Sequence, residues 1–339
     1  NVQEIIMRQE IINFFIKNQS ILTKCRDILK KTPDMQRSLS RLGLGRGSPK
    51  DLGVIRNSLR STDKILTILI EEKMPSLLLN IIKQFQGLEN LLHSLNATLV
   101  ENPLTLKKGE YVICSNCDKN LKEFRRLKYE AQNLIINLQI KYVNVTKINS
   151  LKVKFNNVLG YFIETPVSQL KKMSSDSLAE TFIHRQTTTN SARFSTLELS
   201  NLASNILNAQ ENADELENVF LEKLIQSVTD KAILLNSAAT SLSELDFYSS
   251  LSFQSILAGW VKPTIDNSKN FEIIAGRHPV VELALKNSGS DNFVSNNCGL
   301  SPNASLILLL TGPNMAGKST YLRQNALITI LAQIGSFVP

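Results

Sequence analysis

Apolar positions recur at helical spacing through most of the first 250 residues. Ile5, Ile6, Ile12, Phe15 and Ile16 predict a helix over 1–30. Gly43, Gly45, Gly47 and Pro49 interrupt the pattern. Asp51 opens a second helical stretch to about Ile70, and a third covers about 75–100, ending at Glu101-Asn102-Pro103. Residues 104–118 carry no period and read as irregular. Leu121, Phe124, Leu127, Ala131, Leu134 and Leu138 fall three or four apart and predict an amphipathic helix over 119–146. Leu202, Ile206, Ala209, Ala213, Leu216, Phe220 and Leu224 do the same over 196–245.

Between those two stripes the period changes. Leu151, Val153 and Phe155 alternate with Lys152 and Lys154, and Tyr161-Phe162-Ile163 is aromatic and β-branched. Asn156-Asn157 supplies turn residues, so the segment predicts a hairpin. Two long helices of opposite direction with a strand-containing insert at their tips describe a lever carrying a paddle. The stripes themselves specify only one buried face per helix.

After Gly259 and Trp260 the pattern changes again. Residues 271–275 predict a strand, 287–302 a polar loop, and 305–310 a continuous apolar strand of the kind buried in a parallel sheet. Residues 317–333 predict a helix. The fold class is therefore mainly α with a small β-containing insert, followed by the beginning of an α/β domain near 259.

Charge sharpens this picture. The chain carries a formal net charge of +8. Residues 107–172 hold 13 Lys and Arg against 5 Asp and Glu, a surplus equal to that of the whole chain. A local excess of this kind raises the potential there and would suit a polyanion, and charge alone fits a solvated Lys-rich helix face equally well. Lys152, Lys154, Lys171, Lys172, Arg185 and Arg193 lie in or beside the insert and are the candidate phosphate ligands.

The 4 cysteines exclude a disulfide scaffold and fit a reducing compartment. Cys114 and Cys117 form one C-x-x-C pair with no second pair nearby, so two incidental thiols are favoured over zinc ligation or a redox pair. His93, His184 and His278 show no ligand spacing. No apolar run reaches the ~18 residues of a membrane-spanning helix. The chain starts at Asn1 without a Met and stops at Pro339 after a helix-like run, and so reads as an interior piece of a longer protein.

The sharpest chemistry lies in Gly312-Pro313-Asn314-Met315-Ala316-Gly317-Lys318-Ser319, which fits G-x-x-x-x-G-K-[ST] at every fixed position. Glycines at both ends let successive backbone N–H groups converge on phosphate oxygens. Lys318 would reach the β- and γ-phosphates, and Ser319 would put its hydroxyl on Mg²⁺. The following helix aims its N-terminal dipole at the same anion. Three readings compete: a DNA-binding ATPase, an elongated helical DNA- or protein-binding module with a non-catalytic P-loop, and a metabolic P-loop kinase.

Residues 311–320, together with Leu322-Arg323-Gln324-Asn325-Ala326 and Ala332-Gln333-Ile334-Gly335-Ser336, closely resemble the ATPase domain of the MutS family of DNA mismatch-repair proteins. Residues 41–51 resemble the family's core-domain turn, 151–164 and 184–187 its clamp, and 276–282 the entry to its ATPase. The resemblance implies a lever domain at 1–145 and 207–258, a clamp at 146–206, and the start of the ATPase at 259–339. It implies ATP or ADP with Mg²⁺ as cofactors, held by Gly312, Pro313, Asn314, Met315, Ala316, Gly317, Lys318, Ser319 and Thr320. Lys318 is then the catalytic cation and Ser319 the metal ligand. Phe293, with Val294 beside it, occupies the place of the family's adenine-stacking aromatic.

The implied partners are double-stranded DNA (mismatched for the full-length protein), a second copy of the chain, and a downstream factor of the MutL type. The implied enzyme is a DNA-dependent ATPase, cytoplasmic at the bacterial nucleoid or mitochondrial, with no membrane association. Ala316 departs from the usual Gly at its loop position. The family's Walker B carboxylates and mismatch-reading domain have no counterpart here, so the 339 residues alone are expected not to turn over ATP. Phe220-Leu221-Glu222 spells the family's mismatch wedge but falls inside a predicted helix and is dismissed.

Overall fold

The computed structural model describes residues 1–105, 110–156, 159–289, 292–314 and 316–339. Asn157 and Met315 thus lie outside the described residues. The chain divides into two compact units, Asn1–His93 with Val228–Pro339, and Ser94–Ser227.

The first unit begins with α1 (Val2–Lys17), α2 (Gln19–Leu29), α3 (Met35–Gly43), α4 (Pro49–Leu69), α5 (Ser76–Lys83) and the start of α6 (Glu89–Thr98). The helix expected over 1–30 is two helices. Asn18 takes φ −114° and ψ 62°, and its side-chain amide donates to the Phe14 carbonyl at 2.9 Å, ending α1. The stretch expected over 75–100 is also broken, at Gly87, whose φ of +80° a side chain would resist. The helix expected to open at Asp51 starts two residues earlier: Pro49 takes the first turn instead of breaking the chain, and the Asp51 carboxylate accepts from the Ser48 N–H at 2.8 Å and hydroxyl at 2.9 Å.

Ile11, Ile12, Phe15, Leu22, Leu52, Ile55, Leu59, Ile65, Leu69 and Leu78 are buried in this unit. Each is worth about 1.5–3 kcal/mol of apolar transfer. α11 (Ala232–Ala258) returns through them, packed against α1, α2, α3 and α5.

The rest of the unit is β5 (Phe271–Gly276), α12 (Pro279–Ser288), β6 (Asn296–Leu300) and α13 (Lys318–Gln333). β5 pairs antiparallel with β6, so the stretch read as a polar loop over 287–302 contains a strand. His278 caps α12, its Nδ1 accepting from the Val281 N–H at 3.3 Å.

The second unit is built on α7 (Lys119–Thr146) and α10 (Leu197–Asp230), which runs on into the first. The single helix expected over 196–245 breaks at Lys231, between α10 and α11. Its stripe holds: Ile206, Ala209, Ala213 and Leu224 are buried. The expected α7 stripe holds at Leu121 and Leu138, which are buried, but not at Leu127 and Leu134, which are exposed while Ile135 and Tyr142 are buried.

Between these helices lie β1 (Lys152–Asn156), β2 (Gly160–Pro166), α8 (Leu170–Met173), α9 (Asp176–Ala179), β3 (Ile183–Thr187) and β4 (Ser191–Ser195). The hairpin is present, extended to an antiparallel sheet of order β1-β2-β4-β3. One face carries Ile163, Ala192 and Phe194 into a core with Ile135, Leu138, Tyr142, Phe182 and Leu199. Tyr142 and Phe182 meet edge-on at 5.2 Å.

Candidate functional site

α13 begins as its sequence requires. Gly317 precedes it at φ +84°, a left-handed conformation open to glycine, and no side chain caps the first turn. That turn holds no acidic residue, so its N–H groups and dipole face solvent without a competing carboxylate. Lys318 folds back over the loop, its ammonium donating to the Gly312 carbonyl and, at 3.1 Å, to the Pro313 carbonyl. Gly312, Pro313, Asn314, Ala316 and Ser319 are exposed, and Thr320 is half-buried.

The segment before the loop differs from expectation. Residues 305–310 form no strand; Ile307 is 82% and Leu309 85% exposed. An apolar run stays in a sheet only where neighbouring strands accept its hydrogen bonds. Among the described residues β5 and β6 pair with each other and none pairs with 305–310. Instead Ser305 donates its hydroxyl to the Ile307 carbonyl at 2.7 Å.

Two contacts tie β6 to α13. The Tyr321 hydroxyl donates to the Asn297 carbonyl at 2.9 Å, and the Asn296 amide reaches Gln324 Oε1 at 3.4 Å and the Val294 carbonyl at 3.0 Å. Phe293 and Val294 therefore precede a strand anchored on the helix that carries Lys318. Phe293 is half-buried and Val294 is 80% exposed. Gln324 and Asn296 escaped the sequence reading; Gln324 stood within the quoted 322–326 string, whereas Asn296 carried no signal.

Glu282 is nearly buried and committed, accepting from Arg277 at 2.7 Å with Lys286 at 3.6 Å. Arg277 also donates to the Ala258 and Gly259 carbonyls, at 3.2 and 3.0 Å, fastening the end of α11.

The insert presents a second surface. Register aligns Lys152 with Glu164, Glu164 with Arg193, and Arg193 with Gln186, one polar row across all four strands. Lys154 shares that face one pair further on, opposite Phe162. Glu164 is the carboxylate in the row. Lys154 donates to it, the Arg193 guanidinium stands 3.7 Å away, and both charges hold its carboxyl below the usual range. Arg193 also donates to Gln186 at 3.0 Å and lies 4.8 Å over the Phe162 ring.

Lys152, Lys154 and Arg193 are thus brought together. Lys171 and Lys172 stand apart on α8, where Lys172 donates to the Lys147 carbonyl at 3.2 Å. Arg185 is exposed at the irregularity in β3. Sequence reasoning missed the role of Glu164, because cross-strand register cannot be read from spacing alone. His184 bonds Thr187 at 2.9 Å and packs edge-on to Phe194, an ordinary structural arrangement.

These features define a helical protein with an inserted antiparallel sheet and a G-x-x-x-x-G-K-S loop at the head of a helix. Family models extend that class. One described as MutS domain III matches residues 1–252, and one described as MutS domain V matches 308–339. Curated relatives each called DNA mismatch repair protein MutS align along the whole chain. That of Ruegeria sp. (strain TM1040) is 44% identical over 340 residues, and that of Ruegeria pomeroyi 45% over 340. That of Roseobacter denitrificans is 43% identical over 341. The chain belongs to the MutS family. It covers 100% of its own length but spans 39% of the length of these relatives.

Proposed function

We propose that these residues are the lever, clamp and nucleotide-loop portion of an ATP-dependent DNA mismatch-repair sensor. The lever occupies 1–145 and 207–258, the clamp 146–206 and the ATPase begins at 259. The observation that carries the reading is the head of α13: a left-handed Gly317, an uncapped first turn free of acidic residues, and Lys318 poised on the loop. These groups fit a polyphosphate. Gly312 takes φ +152°, and among the described residues a Cβ added there would meet only Ala316 Cβ, at 3.9 Å, so the backbone can be approached closely.

Lys318 is the catalytic cation, exchanging its two carbonyl acceptors for phosphate oxygens. The first-turn N–H groups of α13 orient the same anion, and Ser319 offers its hydroxyl to Mg²⁺. Asn314, Met315 and Thr320 complete the loop, and Phe293 stacks on adenine with Val294 beside it. Mg²⁺-ATP supplies the cleavable phosphoanhydride when bound. In-line attack also needs a carboxylate to orient water. Of the two acidic residues nearest before the loop, Glu282 is occupied by Arg277 and Lys286 and Asp291 lies outside the described residues; these 339 residues are expected not to hydrolyse ATP at a useful rate.

The basic face of the clamp, with Lys152, Lys154 and Arg193, and the flanking Lys171, Lys172 and Arg185, binds duplex DNA through phosphates. Among the described residues no helix is long and apolar enough to cross a membrane. Homodimerisation, a MutL-type partner and a cytoplasmic, nucleoid-associated location complete the reading.

Equilibrium binding of a fluorescent ADP analogue tests it. Lys318→Ala should weaken binding at least tenfold, and Ser319→Ala should weaken its dependence on Mg²⁺. Equal affinity in Lys318→Ala and the parent, or no binding by either, sinks the assignment in favour of a helical binding module with a non-catalytic loop.

A further inference from the structure

The strongest unassigned chemistry lies in the second unit, where Cys114 and Cys117 flank a tight turn. The Cys117 N–H donates to the Cys114 carbonyl at 3.2 Å, the i to i+3 bond of a β-turn. Such a turn keeps the two Cα atoms within about 7 Å, which overlaps the range a disulfide spans. Both side chains are half-buried and both thiols are free.

The turn is held from three sides. Glu217 on α10 accepts from the Val112 and Ile113 N–H groups at 2.7 and 3.1 Å. Arg125 on α7 donates to the Ile113 carbonyl and to the Ser115 hydroxyl within the turn, each at 2.8 Å, and pairs with Glu217 at 3.2 Å. The Cys114 N–H itself donates to the Thr98 carbonyl at 2.7 Å. The Tyr111 ring stacks on the Arg125 guanidinium at 3.9 Å. Ring, ion pair and backbone bonds thus fix the chain on both sides of Cys114.

We propose that Cys114 and Cys117 are a fold-organised dithiol that closes reversibly to an intrachain disulfide by exchange with a small-molecule disulfide of the oxidised-glutathione type. The Cys114 thiolate attacks one sulfur of that disulfide, forming a mixed disulfide and releasing one small thiol. Cys117 then gives up its proton and attacks the Cys114 sulfur, forming the intrachain bond and releasing the second thiol. Two protein thiols are oxidised, one small disulfide is reduced, and both protein protons end on the released thiols. Burial and the nearby Cys114 and Asp118 raise the Cys117 thiol, with Arg125 opposing them, so closure should speed up as pH rises. Cys25 and Cys298 serve as internal controls. Both are buried, and burial pushes the Cys25 thiol up to about 11.

The test equilibrates the intact chain in glutathione redox buffers, blocks free thiols and maps the peptides by mass. The expected result is one disulfide joining Cys114 to Cys117, with Cys25 and Cys298 alkylated. The same exchange in the chain unfolded by urea should favour the disulfide about tenfold less, because only the native turn preorganises the pair. Arg125→Ala should move the folded chain toward the unfolded value. Should Arg125→Ala not fold, the comparison of native with urea-unfolded parent decides alone. Separate glutathione adducts on the two cysteines overturn the proposal. So do persistent free thiols, or equal closure in the folded and unfolded chains.

Discussion

At Asp51 two opposing effects set the charge state. Burial alone would raise its carboxyl, but the hydrogen bonds from Arg41 and from the Ser48 N–H and hydroxyl outweigh it and hold it at about 2. A carboxyl depressed in the folded state stabilises it above the ordinary value of 3.8, and that contribution is lost as pH falls toward 2. Asp51→Ala should therefore cost about 1–3 kcal/mol near pH 7, where it removes the acceptor of the Ser48 N–H and leaves Arg41 only the Ser38 hydroxyl among these partners. Urea unfolding of both proteins across pH 7 to 2 checks this: the gap between them should narrow below about pH 4. A gap constant down to pH 2 would show that Asp51 acts through packing and not through its charge. The sequence placed the start of α4 within two residues, at Asp51, because the acidic residue of a capping box is local to the helix it opens. The same holds for the glycines and Lys318 of the loop. Glu164 was not legible in its role, since its partners Lys154 and Arg193 come from two other strands.

Among the elements, the presence of helices was read more accurately than their breaks, and short polar strands were read least well. β3 is Ile-His-Arg-Gln-Thr, exposed throughout, and offers no alternation of buried and solvent positions. β6 contains two Asn and a Gly, so it resembles a loop until β5 pairs with it. The opposite error occurred at 305–310, where an unbroken apolar run reads as strand although strand formation depends on neighbours the run does not encode. The helix breaks at Asn18 and Lys231 also lie without Pro or Gly, and the stripe passes through them unmarked.

The seat of β5 on α13 depends on Gly276. A Cβ there would stand 2.6 Å from Ile273 Cγ2, 2.9 Å from Gln324 Nε2 and 3.0 Å from Ile328 Cδ1. Gly276→Ala should cost about 1–3 kcal/mol through this overpacking. It should also loosen the Asn296–Gln324 tie that positions Phe293. An unchanged unfolding midpoint together with unchanged ADP-analogue affinity would show that the side chains give way freely and that the close approach has no consequence.

For the whole molecule, net charge predicts polyanion binding, but it counts cations that are already engaged. Within the insert Glu164 draws on both Lys154 and Arg193, while Lys152 has no ion pair among the described residues. Under the DNA-binding proposal these cations should differ. Each phosphate neutralised in duplex DNA contributes about −0.9 to the slope of log K against log salt. Lys152→Ala should flatten the slope by about that amount, and Lys154→Ala by less, because part of its charge is spent on Glu164. Glu164→Gln should act in the reverse sense, releasing Lys154 and Arg193 to the phosphates, steepening the slope and tightening binding at low salt. Titration of labelled duplex with the parent and the three variants, at several salt concentrations, measures all of this. Equal losses for Lys152→Ala and Lys154→Ala would mean that the Glu164 pair opens on the DNA. Slopes unmoved by any of the three would remove the sheet from the DNA interface and return the basic surplus of 107–172 to a solvated face.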